Sequence, residues 1–265
     1  MDCWNPETFD TELCKTLTDS SDLIGNYYRE ERRLMDEHLN SDPYESLQSN
    51  IYHAEHSIFL ENVITSLFVD RCIRVWHYTR LLDYEIVAMK RRVVPSTLDS
   101  LNQRLCELVK RKLLTREEAD TVYRQSSFHS QSEARSGCLW TVSVPVSPED
   151  GGVEPLLESW GGESAYFWLS DERVAEKLKR IGMPCIVEIK TSLHDDFNAF
   201  SVAKTSIQSW AMSLGLPVYV EGSDLALKGS LEMAQVLQIH TLGDPIFENV
   251  AETYPKDCVQ LLRNT

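Results

Sequence analysis

The stretch Ile73-Arg74-Val75-Trp76-His77-Tyr78-Thr79-Arg80 leaves the chain the fewest ways to fold. Ile73, Val75 and His77 fall on one face and Arg74, Trp76 and Tyr78 on the other, the period-2 alternation that predicts a short β-strand. A helical pattern begins at once, with Leu81, Leu82, Ile86 and Met89 at helix-like spacing and a basic end at Lys90-Arg91-Arg92. Val93-Val94-Pro95-Ser96 is a second short apolar run and reads as the next strand. Strand, helix, strand, with a His-x-Thr at the end of the first strand, is the frame on which the rest is placed.

Before this frame, residues 5–70 read as helices. Asn5-Pro6-Glu7 has an Asn fit to cap and a Pro at the first helical position. Leu23, Ile24, Tyr27, Tyr28, Leu34 and Leu39 recur near helical spacing, Ser41-Asp42-Pro43 interrupts them, and Ile51, Ile58, Phe59, Val63, Ile64 and Leu67 form a second amphipathic stretch. After it, residues 97–125 are helical again, with a break and a capped restart at Leu113-Leu114-Thr115-Arg116-Glu117-Glu118. Strands are expected at Cys138–Val144, Ser164–Leu169 and Pro184–Ile189, with weaker ones at Pro217–Val220, Leu225–Leu227 and Ala234–His240. A helical turn at Val153–Trp160 and helices at Asp171–Ile181 and Asn198–Leu214 separate them. This mixture has no strict βαβ rhythm and no Gly-rich dinucleotide or phosphate loop, so the expected fold class is α+β with short, mostly antiparallel strands. The expected division is a helical N-terminal region over 1–72 and an α+β domain over 73–265.

Composition removes several classes of function. With 26 basic against 41 acidic residues the net charge is -15, which disfavours non-specific binding to a phosphate backbone. The most basic segment, Lys90 to Lys112, reads as a solvated helix face. Seven scattered cysteines without a Cys-x-x-Cys fit reduced thiols rather than a disulfide framework or zinc site. The polar, acidic opening Met1-Asp2-Cys3 and the lack of a long apolar run lead us to expect a cytoplasmic protein with no membrane association. His53 and His56 share a helical face but lack a third ligand nearby, and the seven histidines form no ligand-spaced set, so no metal is expected. Nor does any nucleophile-elbow sequence suggest a Ser or Cys hydrolase.

Three clusters are spaced like parts of one site. In His77-Tyr78-Thr79 the His and Thr point to the same face and can donate to ribose hydroxyls; a core histidine satisfied by backbone is the bland alternative. In Arg135-Ser136-Gly137, with Ser143 further on, Arg135 can hold a phosphate and Gly137 lets backbone approach closely; the bland alternative is a surface arginine in a turn. In Trp160-Gly161-Gly162-Glu163 two glycines expose a carboxylate beside an aromatic ring.

Trp76-His77-Tyr78-Thr79-Arg80, the helix through Ile86-Val87-Ala88-Met89-Lys90 and then Val93-Val94-Pro95-Ser96 together resemble the opening of ADP-ribosyltransferase-like domains. The Trp160-Gly161-Gly162-Glu163 turn is similar to one found in uncharacterised bacterial proteins of the same general kind. The resemblance covers roughly residues 73–250. It implies a split mixed or antiparallel sheet that binds NAD+ as substrate, breaks the nicotinamide–ribose bond through an oxocarbenium-like transition state and passes ADP-ribose to a protein or nucleic acid acceptor. It implies a carboxylate near the ribose 2-hydroxyl, here Glu163, because a hydrogen bond to that hydroxyl strengthens at the transition state. By the same resemblance His77, Tyr78 and Thr79 position NAD+, Arg135 and Ser143 meet phosphate or ribose, and Tyr166 or Trp160 stacks on nicotinamide. In many members the acidic residue instead begins a late strand, which makes Glu221 and Asp224 the alternatives. The implied setting is a bacterial toxin or defence effector, with a neutralising or partner protein docking on the N-terminal helices. Two other expectations stand beside it: an NAD+ glycohydrolase that uses water as acceptor, and a non-catalytic module that keeps the fold.

Overall fold

A computed structural model describes residues 1–40, 48–228, 231 and 234–253. The interruption expected at Ser41-Asp42-Pro43 lies outside the described residues. The chain forms two compact units, one built from Met1–Arg74 and Ser192–Ser223, the other from Val75–Thr191 and Asp224–Thr253.

The first unit is helical. Helix α1 (Thr11–Asp19) starts on an Asp10 cap that accepts from the Leu13 amide, and α2 (Ser21–Asn40) follows it. Helix α3 (His53–Phe59) runs through a π-helical turn at Leu60–Ile64 into α4 (Thr65–Phe68). The long helix of the segment 192–223, α12 (Asp196–Ser213), packs against α4, the π turn and α2. Eleven of its residues are buried, most of them Ala, Ser, Thr or Val on several sides of the helix, so it needs covering on more than one face. For that reason residues 192–223, expected inside the domain starting at 73, group instead with the N-terminal helices.

The second unit holds the sheet and is α+β. Strands β1 (Cys72–Leu81), β2 (Cys138–Val142), β3 (Met183–Ser192), β4 (Asp224–Lys228) and β5 (Gln235–Thr241) lie in the order β4-β2-β1-β3-β5. Strand β1 is central and buried on both faces: Ile73, Val75 and Thr79 on one, Trp76 and Tyr78 on the other. Its antiparallel partner β2 pairs along its whole length with β4, from Cys138 opposite Lys228 to Val142 opposite Asp224. Helices α5 (Asp83–Arg91), α6 (Leu98–Lys110), α7 (Arg116–Arg124), α8 (Ser132–Arg135), α9 (Glu154–Glu158), α10 (Glu163–Tyr166), α11 (Glu172–Leu178) and α13 (Pro245–Asn249) complete the unit. Capping boxes at Thr97 and Thr115 start α6 and α7, and their apolar stripes meet Trp160, Ala165 and Leu178 in one core.

Three expected strands are absent among the described residues. Val93–Ser96 is reduced to one bridge between Ser96 and Cys138, because Pro95 has no amide to give a ladder. Pro217–Val220 is irregular. Ser164–Leu169 begins as helix α10, because Gly161 (φ 85°) and Gly162 (φ 57°, ψ -159°) turn the backbone where only glycine is at ease and launch a helix at Glu163. A Cβ on Gly161 would stand 2.5 Å from that of Ala165, so the turn also needs the missing side chain.

Candidate functional site

Pairing of β2 with β4 puts two cleft residues on one sheet face. Trp140 lies opposite Ala226 and Val142 opposite Asp224, so Trp140 and Asp224 are diagonal neighbours. Trp140 faces outward between buried Leu139 and Thr141 and leaves 45% of its surface open. Asp224 opens β4, and burial together with the nearby Glu163 carboxylate raises its pKa above the usual range. Its carboxylate has no hydrogen-bond partner among the described residues.

Arg135 reaches the same place from the last turn of α8, just before β2. Its Nε donates to Gln131 Oε1 at 2.5 Å, its Nη1 donates to Glu163 Oε2, and the guanidinium lies 5.5 Å from the Phe167 ring centre. Nη2 is left without a partner among the described residues. Glu163, first residue of α10 after the Gly-Gly turn, thus has one oxygen fixed, and Oε1 has no hydrogen-bond partner among the described residues. Ser126 and Ser127 hydroxyls donate to the Ser164 and Glu163 carbonyls and tie this turn to the segment before α8. Arg135, Glu163, Asp224, Trp140, Gln131 and His129 line one cleft of about 780 Å³, the size of a site for a nucleotide-sized ligand. Tyr166 stands on α10 beside them, half-buried; burial first and Glu163 second push its hydroxyl up to about 12, with Arg135 opposing.

Other expected members of the site lie elsewhere. Trp160 is fully buried, donates from Nε1 to Glu85 at 3.0 Å and packs against Arg104, whose guanidinium carbon is 4.5 Å from the ring centre; no face is open for nicotinamide. Tyr78 is 3% exposed, and its hydroxyl both donates to the Val146 carbonyl and accepts from the Val146 amide at 2.7 Å. Thr79 and Ser143 are buried and do not line the cleft. Both faces of β1 are covered, which is why its His-x-Thr does not open into the site. The His77 Nδ1 instead donates to the Trp140 carbonyl at 2.7 Å, since a carbonyl can only accept. Burial lowers its pKa below the ordinary imidazole range, with the Arg104 charge acting the same way. His77 thus touches the cleft only through the backbone of Trp140. Glu221 belongs to the first unit, pairs with Lys204 at 2.8 Å and does not line the cleft.

Sequence reasoning missed Gln131, His129 and Trp140 as lining of the cleft, and Phe167 as the ring beside Arg135. The i,i+4 spacing of Gln131 and Arg135 was a usable signal, hidden because Ser126–Ser132 reads as a loop. Trp140 reads locally as one residue of a strand, and nothing in its neighbours tells which face it takes or that this face stays open. The described residues contain no group of three or more His, Cys, Asp or Glu placed to hold a metal ion, and His56 stacks on Tyr27 at 3.8 Å. Among the described residues no helix is long and apolar enough to cross a membrane. Comparison with family models, with curated proteins and with solved structures returned no match.

Proposed function

We propose that the cleft binds NAD+, breaks the bond between nicotinamide and ribose, and passes ADP-ribose to a macromolecular acceptor. The observation that carries this reading is the convergence of Arg135, Glu163 and Asp224, three residues remote in sequence, on one cleft beside the open indole of Trp140. Each suits a part of the substrate. The nicotinamide of NAD+ is a cationic ring, for which an exposed indole in a cleft that carboxylates also line is a good host. The spare Nη2 of Arg135 can take a phosphate oxygen, as guanidinium groups do. Glu163, held by Arg135 through Oε2, can offer Oε1 to the ribose 2-hydroxyl and to the positive charge that grows at C1 as nicotinamide leaves. Asp224 is the second carboxylate of the cleft, and it begins a late strand as the acidic residue does in many domains of the family that the sequence resembles.

The test is nicotinamide release from NAD+ by the purified chain, with labelled ADP-ribose followed into cell lysate. Glu163→Gln is expected to slow release by about 10²–10³-fold, the usual loss of a transition-state electrostatic partner. Unchanged release in that variant, with loss in Asp224→Asn, moves the role to Asp224. Separate nuclease and protease digestion identifies the labelled acceptor, for which the charge of -15 favours protein. Only free ADP-ribose would make the chain a glycohydrolase, and no release together with no heat on NAD+ addition would sink the enzymatic reading.

A further inference from the structure

One titratable side chain of the cleft has no part in that chemistry. His129 ends a short 3-10 turn (Ser127–His129) and lines the same cleft as Glu163 and Asp224. Its ring is fixed twice. Nε2 lies 2.9 Å from the Tyr123 carbonyl, and the ring stands edge-on to the Tyr123 ring with centres 5.4 Å apart at 84°. A backbone carbonyl has no proton to give, so Nε2 carries a hydrogen, and in the neutral ring the lone pair is on Nδ1. Nδ1 has no partner among the described residues. A neutral imidazole with one nitrogen anchored and the other a bare acceptor has the arrangement of a general base held by a third group.

We propose that His129 is the general base of the transfer step, taking the proton of the acceptor group through Nδ1. This rests on the NAD+ reading of the cleft. The bond between ribose C1 and nicotinamide breaks, and its electron pair leaves with nicotinamide, which becomes neutral. A lone pair on the acceptor oxygen or nitrogen forms the new bond to C1. The acceptor's proton passes to Nδ1 and then to water, so no further reactant is consumed. Glu163 is less suited to accepting that proton, because its carboxylate is bound to Arg135. The charged side chains that share the cleft with His129 are Glu133, Arg135, Glu163 and Asp224.

The experiment measures kcat and KM for NAD+ from pH 5.5 to 8.5, with lysate protein as acceptor, in wild type, His129→Ala and His129→Gln. Gln keeps a donor for the Tyr123 carbonyl but has no basic nitrogen, which separates base loss from disturbed folding. Both variants are expected to lose about 10²-fold or more in kcat with little change in KM, as removal of a general base does. The acid limb of the wild-type profile should vanish in both, and added imidazole should restore part of the rate to His129→Ala. A residue with a purely structural role would give neither the flattened profile nor the rescue. Wild-type release with unaltered rate and acid limb in both variants overturns the role of His129 alone. A wild type that releases no nicotinamide overturns the NAD+ reading and this role together.

Discussion

Replacing Glu85 with alanine attacks the point where the second unit stores polar groups inside its helical core. Glu85 is 8% exposed and accepts three hydrogen bonds: from the Leu82 amide at 2.9 Å, Arg104 Nε at 2.7 Å and Trp160 Nε1 at 3.0 Å. Alanine removes all three acceptors and leaves the Trp160 N–H unpaired where no water reaches it, a cost of about 1–3 kcal/mol. It also strands Arg104, whose Nη2 already lacks a hydrogen-bond partner. Breaking a buried ion pair costs about 3–5 kcal/mol, but Arg104 keeps 30% of its side chain exposed and can turn part of its charge to water, which puts that share near the low end. The start of α5 loses its capping carboxylate, worth about 1 kcal/mol. These losses share one side chain and do not add, so we expect about 4 kcal/mol in total. That is a large part of the roughly 5–15 kcal/mol that holds a domain together. At about 2–4 °C per kcal/mol, the melting temperature should fall by about 10 °C. Urea titration followed by tryptophan fluorescence and far-ultraviolet circular dichroism measures the loss. A cost below about 1 kcal/mol for Glu85→Ala would refute the reasoning, because it would mean that the Trp160 donor finds water and is not sealed in the core.

Asp224→Asn tests the electrostatics of the cleft apart from activity. Burial and Glu163 raise the Asp224 pKa, so its contribution to stability is present at acid pH and lost as pH rises through the folded value. The variant should therefore be more stable than wild type at pH 7 and indistinguishable below the ordinary aspartate range, read as urea midpoints at the two pH values. In the first unit, burial first and His53 second lower the His56 pKa to about 4 from 6.5, so its stabilising contribution is full above pH 6.5 and is lost as pH falls toward about 4. His56→Phe keeps the stacking on Tyr27 and should shrink the acid loss of stability across that window; an unchanged pH profile would show that His56 charges freely in the folded chain.

How much was legible depended on whether a residue's meaning was local. The strand at 73–80, the helices of 97–125 and the strand at 138 carry their periodicity and caps in adjacent residues, and they form where expected. The Gly-Gly turn was legible as a device that presents Glu163, but its continuation was not, because apolar Ala165, Tyr166 and Phe167 suit a strand as well as a helix and only the glycine dihedrals select one. The cleft was legible in Arg135, Glu163 and Asp224. It was illegible in Trp160 and Trp140, two indoles of equal local promise: one lies under Arg104 and the other faces out, and that difference comes from which segments pack against them.

Alternation, capping residues and turn glycines are short-range matters, and from them the sequence alone determined the α+β class, most element positions and a set of chemically able side chains. Which of those side chains meet was decided by the tertiary structure. Pairing of β2 with β4 brings Asp224 beside Trp140, while burial of both faces of β1 keeps Thr79 out of the same cleft and leaves His77 only a bond to the Trp140 carbonyl. The physical reason is that proximity between residues about 90 apart, such as Arg135 and Asp224, depends on strand order and core packing, which no local spacing encodes.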